Sequence, residues 1–321
     1  MAENAINMAL DARAVEILSG ITTATLTTLL LKKGLRNVWL RGARPMRPGQ
    51  PRLVGRAFTL RFVPAREDLA TPESWSSPIS TRAAIEDMPA GCIAVADAMG
   101  VADAGIFGDI LCARMVKRGV TALVTDGVVR DQAGVLGTGL PVWCNGAAAP
   151  PSVASLTFGA WQQPIACGGV AVFPGDVVVV DDDGAVLIPA ALLDEMLTLA
   201  PEQDRLEAWI MAEVEAGASL PGLYPPNAEN KARYEAAGLF VFAGLTRHPC
   251  HPHNNRGPPT VDPVSSRGWQ PRCYQFHNTS RRRSMGKRPF FHKFSMDGSR
   301  LINNCTISGC SGVAAGSARS R

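Results

Sequence analysis

The sequence predicts an α/β fold on three observations. Strand-like and helix-like segments alternate between residues 92 and 125. A β-rich block joined by tight turns follows at 164–189, and helical segments flank the whole at 11–33 and 190–237. Strand–helix–strand order is the mark of a sheet covered by helices.

Residues 11–33 carry the apolar spacing of a helix, with a break near Gly20 and Gly34 as C-cap. Residues 53–63 (LVGRAFTLRFV) alternate like a strand, and 64–78, polar with two prolines, reads as a loop. A short helix is expected at 79–88. The apolar run 92–96 (CIAVA) reads as a buried strand, and a loop of small residues leads to Asp109. Asp109 opens a helix closed by basic residues and Gly119, and 120–125 (VTALVT) is the next strand. Between 164 and 189, Pro174-Gly175-Asp176 and Asp183-Gly184 supply turns between apolar strands. A long amphipathic helix spans 190–216, and Asn227 caps a last helix through Ala237.

After about residue 245 the pattern changes, so two units are expected, a folded body at 1–245 and a tail at 246–321. The tail holds 13 Lys+Arg against 2 Asp+Glu, while the body holds 19 against 26. The basic balance of the chain therefore belongs to the tail, and the acidic body gives no reason to expect nucleic-acid binding. Rich in Pro, Arg, Ser and Asn and without hydrophobic periodicity, the tail is expected to be disordered, as a genuine extension or a non-native one. Its His248, Cys250, His251 and His253 match no structural-zinc spacing, and Arg281-Arg282-Arg283 reads as a non-specific basic run.

All five histidines also lie in the tail. Serine–histidine and cysteine–histidine catalysis are thereby excluded for the body, and acid–base or metal chemistry falls to carboxylates, arginine, lysine, backbone and water. Cys92, Cys112, Cys144 and Cys167 are far apart in sequence and form no C-x-x-C, as in a reduced, cytoplasmic protein. Neither a signal peptide nor a membrane-spanning run is legible, so no membrane is expected.

The segment that carries chemistry is GDILCARMVKRGVTALVTDGVVRD, residues 108–131. Gly108-Asp109 are followed by twenty residues and then Arg130-Asp131. A helix of about ten residues rises about 15 Å, and a returning strand of five or six covers roughly 17–20 Å. Asp109 and Arg130-Asp131 are therefore expected at the same edge of the sheet, where α/β sites lie. Two carboxylates and an arginine there suit magnesium, which takes oxygen ligands, needs one or two protein carboxylates and keeps its waters. The helix N-terminus offers amides to an anion, and Arg130 can hold a carboxylate or an enolate. Spacing alone is equally consistent with Asp109 as an N-cap and with Arg130 and Asp131 as solvated loop residues.

Other motifs read as structural. Asp181, Asp182 and Asp183 sit at a hairpin turn. Gly137-Thr138-Gly139 lacks the third glycine and the helix of a dinucleotide loop. Lys32, Lys33, Lys117 and Lys231 lie on or beside amphipathic helices as solvated charges.

On Gly108, Asp109, Arg130 and Asp131 the chain resembles the RraA-like family, which includes the 4-hydroxy-4-methyl-2-oxoglutarate aldolases and carries a G-D-x20-R-D signature. The resemblance runs from about residue 15 to 240 and takes in Gly55-Arg56-Ala57, the block GGVAVFPGDVVVVDDDGAVLIP and GLYPPNAENKARYE. It implies a β/β/α layered fold with flanking helices, built as a homotrimer or hexamer with sites between subunits. It also implies a metal-dependent lyase that cleaves a 4-hydroxy-2-oxo acid to pyruvate, with oxaloacetate decarboxylation as a side activity. In that scheme Asp131 is the direct Mg2+ or Mn2+ ligand, Asp109 holds metal-bound water, and Arg130 stabilises the substrate carbonyl and enolate. Amides near Ile110 and Leu111, beside Gly108, bind the substrate carboxylate. Many relatives carry an aspartate where this chain has Thr28, which implies a different substrate pocket. The family also contains non-catalytic ribonuclease E regulators, typically without the metal-binding aspartate that this chain keeps.

Overall fold

A computed structural model describes residues 9–243. The tail from residue 246, with its histidines and arginines, lies outside the described residues. The N-terminal segment forms α1 (Ala12–Gly20) and α2 (Thr23–Lys32), broken where Gly20 predicts. Thr22 caps α2 by accepting the Thr25 N–H at 3.0 Å. The short β1 (Arg44–Pro45) precedes β2 (Leu53–Pro64), and a 3-10 turn at Pro72–Ser76 leads to α3 (Thr81–Asp87). There follow β3 (Ile93–Asp97), α4 (Asp109–Arg118), β4 (Ala122–Thr125), α5 (Gln132–Gly137), β5 (Val142–Cys144) and β6 (Leu156–Trp161). The hairpin β7 (Val177–Asp181) and β8 (Gly184–Ile188) precedes α6 (Leu193–Glu215) and α7 (Ala228–Ala243).

The strands run in the order β1-β5-β4-β3-β2-β7-β8, with β6 also on β2. The long β2 joins two sheets. Its Leu53–Arg56 pair antiparallel with β7, its Ala57–Arg61 parallel with β3, and its last residues antiparallel with β6. Because successive side chains of a strand point to opposite faces, a strand covered on both sides reads as continuously apolar. Both sheets show it. Ala94 and Ala96 of β3 face Met88, Cys112 and Met115 from the α3–α4 side, whereas Ile93 and Val95 meet Val178 and Val180 of β7. Val177 and Val179 turn instead to Leu18, Leu26, Leu30 and Met196 of α1, α2 and α6. The result is two β layers packed face to face with helices outside each, as the resemblance implies.

Sequence and structure differ in three places. The first run of the block, Gly168–Phe173, is not a strand. Cys167–Gly169 forms a 3-10 turn in which Gly168 (φ 58°) and Gly169 (φ 73°) leave the extended region, and only Ile165 and Val172 pair as a bridge. Strands β1 and β5 carry no legible pattern, since a two- or three-residue strand is too short for periodicity, and the six-residue β6 is not expected from the sequence either. The last helix continues past Ala237 to Ala243. The triple aspartate turns the β7–β8 hairpin as read, and Asp181 is spent on structure. Its carboxylate accepts the Thr23 N–H at 2.9 Å and the Thr23 hydroxyl at 2.7 Å, and faces Arg52 Nε at 3.5 Å.

Candidate active site

The edge of the parallel sheet brings Asp109, Arg130 and Asp131 together as the helix and strand lengths predict. The Arg130 N–H donates to Phe107 O at 2.9 Å, which ties the segment after β4 to the one before α4. Gly108, not Asp109, is the N-cap of α4, with Asp109 as the first helical residue. The Asp109 Oδ1 accepts the Ile110 N–H at 2.7 Å. A substrate carboxylate would therefore compete with Asp109 at that amide, while Leu111 carries another amide of the first turn, where N–H groups have no acceptor inside the helix.

Asp131 precedes α5 as its N-cap with φ 53° and ψ 48°, and its side chain makes no capping hydrogen bond. A non-glycine residue in this left-handed region is unusual and is held there by its surroundings. The Arg130 Nε donates to Asp131 Oδ2 at 3.1 Å. Both side chains remain reachable, at 38% and 48% exposure. Two close approaches lock the cluster. A Cβ on Gly134 would stand 2.9 Å from Asp109 Oδ2, and one on Gly108 would stand 2.9 Å from Asp131 Oδ2. A Cβ at either position would push a carboxylate of the cluster aside.

All six site residues expected from the sequence, Gly108, Asp109, Ile110, Leu111, Arg130 and Asp131, line one cavity of about 270 Å3. Trp75, Thr81, Arg82 and Ser152 line it as well, and sequence reasoning missed all four. No spacing links them to the motif. Thr28 borders a different cavity, beside Ala24 and Trp39, and its hydroxyl donates to Ala24 O at 3.1 Å. Within one chain it therefore does not reach the site.

The donor set suits a hard divalent cation. Among the described residues no three His, Cys, Asp or Glu side chains gather into a cage. Magnesium and manganese do not need one, because one or two carboxylates with water and substrate oxygens complete their shells. Asp131, whose carboxylate makes no capping hydrogen bond, and Asp109 are the two carboxylates that line this cavity. Cysteine chemistry is disfavoured. The four described cysteines are buried and unpaired, and burial pushes the thiols of Cys112 and Cys92 up to about 12.

A second acidic cluster is structural. The buried Asp126 carboxylate accepts N–H groups from Ala98 at 2.8 Å, Gly168 at 3.0 Å and Gly100 at 3.1 Å. Asp97 accepts those of Met99 and Ala166, each at 3.0 Å. Among the described residues, no single helix is long and apolar enough to cross a membrane.

The family model described as RraA-like, Aldolase/RraA, matches residues 22–187. A Halalkalibacterium halodurans protein named "Putative 4-hydroxy-4-methyl-2-oxoglutarate aldolase" is 32% identical over 113 residues, 35% of this chain and 53% of that protein. Protein DlpA of Legionella pneumophila is 26% identical over 177 residues, 55% of this chain. The chain thus spans 53% and 28% of the lengths of these two curated relatives. Among solved structures, Streptomyces coelicolor RraAS2, described as an unusual member of the RNase ES inhibitor RraA family, is 34% identical. It superposes with a TM-score of 0.56 over 62% of this chain and 96% of its own. An uncharacterized protein of Pseudomonas syringae pv. tomato is 25% identical, with a TM-score of 0.59 over 68% of this chain and 95% of its own. With just over half of its length matched by the family model and its fold shared with RraAS2, the chain belongs to the RraA-like family.

Proposed function

We propose that the chain is a divalent-metal-dependent carbon–carbon lyase that cleaves a 4-hydroxy-2-oxo acid to pyruvate and a carbonyl product. The observation that carries this reading is the meeting of Asp109, Arg130 and Asp131 on one small cavity, with the Asp131 carboxylate unused by the helix it caps. Asp131 would hold Mg2+ or Mn2+, and Asp109 would hold the water on it. When bound, the cation supplies Lewis acidity toward the 2-oxo acid head. The protein's own groups do the rest. The first-turn amides of α4, at Ile110 and Leu111 beside Gly108, receive the substrate carboxylate. The Arg130 guanidinium would meet the negative charge that grows on the C2 oxygen as the C3–C4 bond breaks, and so would stabilise the pyruvate enolate. Asp109 accepts the C4 hydroxyl proton through water, and protonation of the enolate at C3 releases pyruvate. Oxaloacetate decarboxylation reaches the same enolate and is the expected side activity.

The alternative is a non-catalytic regulator that binds a ribonuclease, a reading favoured by the 34% identity to RraAS2. Release of pyruvate from oxaloacetate, measured with and without Mg2+, separates the two. Metal-dependent release supports the lyase, and its absence with both Mg2+ and Mn2+ supports the regulator.

A further inference from the structure

A cavity of about 590 Å3 lies beside the active site and takes no part in the proposed bond cleavage. Its apolar wall is built by Val63 of β2, Leu156 and Phe158 of β6, and Leu69 and Trp75 of the segment between β2 and α3. Two hydroxyls in that wall have a hydrogen to offer. Ser77 Oγ accepts the Ile79 N–H at 3.1 Å and Thr157 Oγ1 accepts the Arg66 N–H at 3.0 Å, and neither hydroxyl donates to another of the described residues. Among the described residues no lysine or arginine lines the cavity. Of its two carboxylates, Asp68 is paired with Arg66 at 2.6 Å and Glu73 is exposed. An anion would find no counter-ion there, and an apolar wall strips any ion of its water at a cost. The volume and the wall, apolar with a few placed polar groups, are those of a small-molecule pocket. Trp75, Thr81 and Ser152 line this cavity and the active-site cavity alike, and the Arg82 guanidinium lies 5.1 Å from the centre of the Trp75 ring. The indole is thus a wall common to both.

We infer that this cavity is a second ligand site, which takes an uncharged, largely apolar molecule carrying an oxygen acceptor, and that its occupancy is felt in the active site through Trp75. Val63, Leu156 and Phe158 hold the apolar body, and the hydroxyls of Ser77 and Thr157 meet the oxygen. A ligand packed on the indole restricts the ring on which Arg82 rests, and so alters the wall of the active-site cavity. Such coupling is reciprocal, because each ligand changes the affinity of the other by the same factor. The binding claim does not depend on the lyase reading.

The test is calorimetric titration of the Mg2+-saturated full-length chain with 1-naphthol and with 1-naphthoate, which share an aromatic body and differ in charge. Wild type is expected to bind one naphthol per chain, at least about tenfold more tightly than naphthoate, since the carboxylate loses water and gains no partner. A Cβ on Gly159 would stand beside Val63 in ordinary contact, 3.9 Å from its Cγ1 and 3.5 Å from Arg61 O, so a side chain there fits and fills the cavity. Gly159→Leu should therefore weaken naphthol by at least about tenfold with circular dichroism unchanged. Saturating naphthol should change the affinity for oxalate, a stand-in for the 2-oxo acid head, by about fivefold or more, and Trp75→Phe should bind naphthol yet lose that effect. Binding of neither probe, equal binding of both, or naphthol binding unaffected by Gly159→Leu overturns the site. Complete displacement of naphthol by oxalate also overturns it, since the cavity would then be an arm of the active site. Naphthol bound at the site with no change in oxalate affinity overturns the coupling. Failure of oxalate to bind at all sinks the lyase reading and the coupling, and leaves the ligand site to the naphthol titrations alone.

Discussion

Asp131 is held in a left-handed conformation that costs a non-glycine residue free energy, and its carboxylate gives nothing back to the helix it caps. If it is the sole direct protein ligand of the metal, Asp131→Ala should remove both metal affinity and turnover. Arg130 meets charge that grows in the transition state. Arg130→Ala should leave metal binding in place while kcat falls by about 10²–10³-fold, the usual cost of losing an oxyanion-stabilising donor. Arg130→Lys should restore little, because an ammonium lacks the guanidinium fork. Asp109→Asn should fall between the two, since an amide can hold water but cannot take its proton. Metal titration beside oxaloacetate turnover reads these roles separately, and normal Mg2+ binding with pyruvate release by Asp131→Ala would sink the assignment. Gly134 tests how tightly the cluster is held. A Cβ there would meet the Asp109 Cβ at 2.8 Å. Gly134→Ala should lower kcat by about 10–10²-fold through displacement of Asp109. Circular dichroism should show the fold retained.

At the level of elements, the loops at the carboxyl ends of β3 and β4 are pinned by one buried side chain. Asp126 gathers three backbone N–H groups from two separate segments. An asparagine oxygen cannot satisfy all three, so Asp126→Asn should cost about 1–3 kcal/mol, seen as a lower denaturation midpoint. The pH dependence has a definite sign. Burial raises the Asp126 carboxyl above its ordinary value, against the opposing backbone hydrogen bonds. The folded state therefore binds this proton more tightly than the unfolded chain does. The group's contribution to stability is full below the ordinary carboxylate range and falls as pH climbs through the raised value. The stability difference between wild type and Asp126→Asn should shrink across that window, and a difference that grows with pH would contradict the assignment.

For the whole molecule, we propose assembly as a homotrimer or a multiple of it. Ile110 lines the site cavity yet is 80% exposed, and Leu69 and Ile79 are also exposed large apolar residues. Light scattering at micromolar concentration should give a trimer or hexamer, and a fully active monomer would defeat the proposal. We also propose that residues 246–321 are dispensable. A chain ending near residue 245 should keep its fold, assembly and metal-dependent activity, and loss of soluble protein on truncation would show that the tail belongs to the domain.

The sequence by itself determined the fold class, the β7–β8 hairpin, the flanking helices and the convergence of Asp109 with Arg130-Asp131. Each rests on local periodicity or on a helix and a strand of matching length, which neighbouring residues fix. Tertiary structure decided what depends on distant partners. It made β2 the seam between two sheets and paired strands as short as Val142–Cys144 through the ladder instead of through their own pattern. It gave the N-cap of α4 to Gly108 and freed the Asp131 carboxylate from capping. It also carried Trp75 and Arg82 to the site cavity, because their placement follows from where α3 packs on the sheet and not from any spacing along the chain.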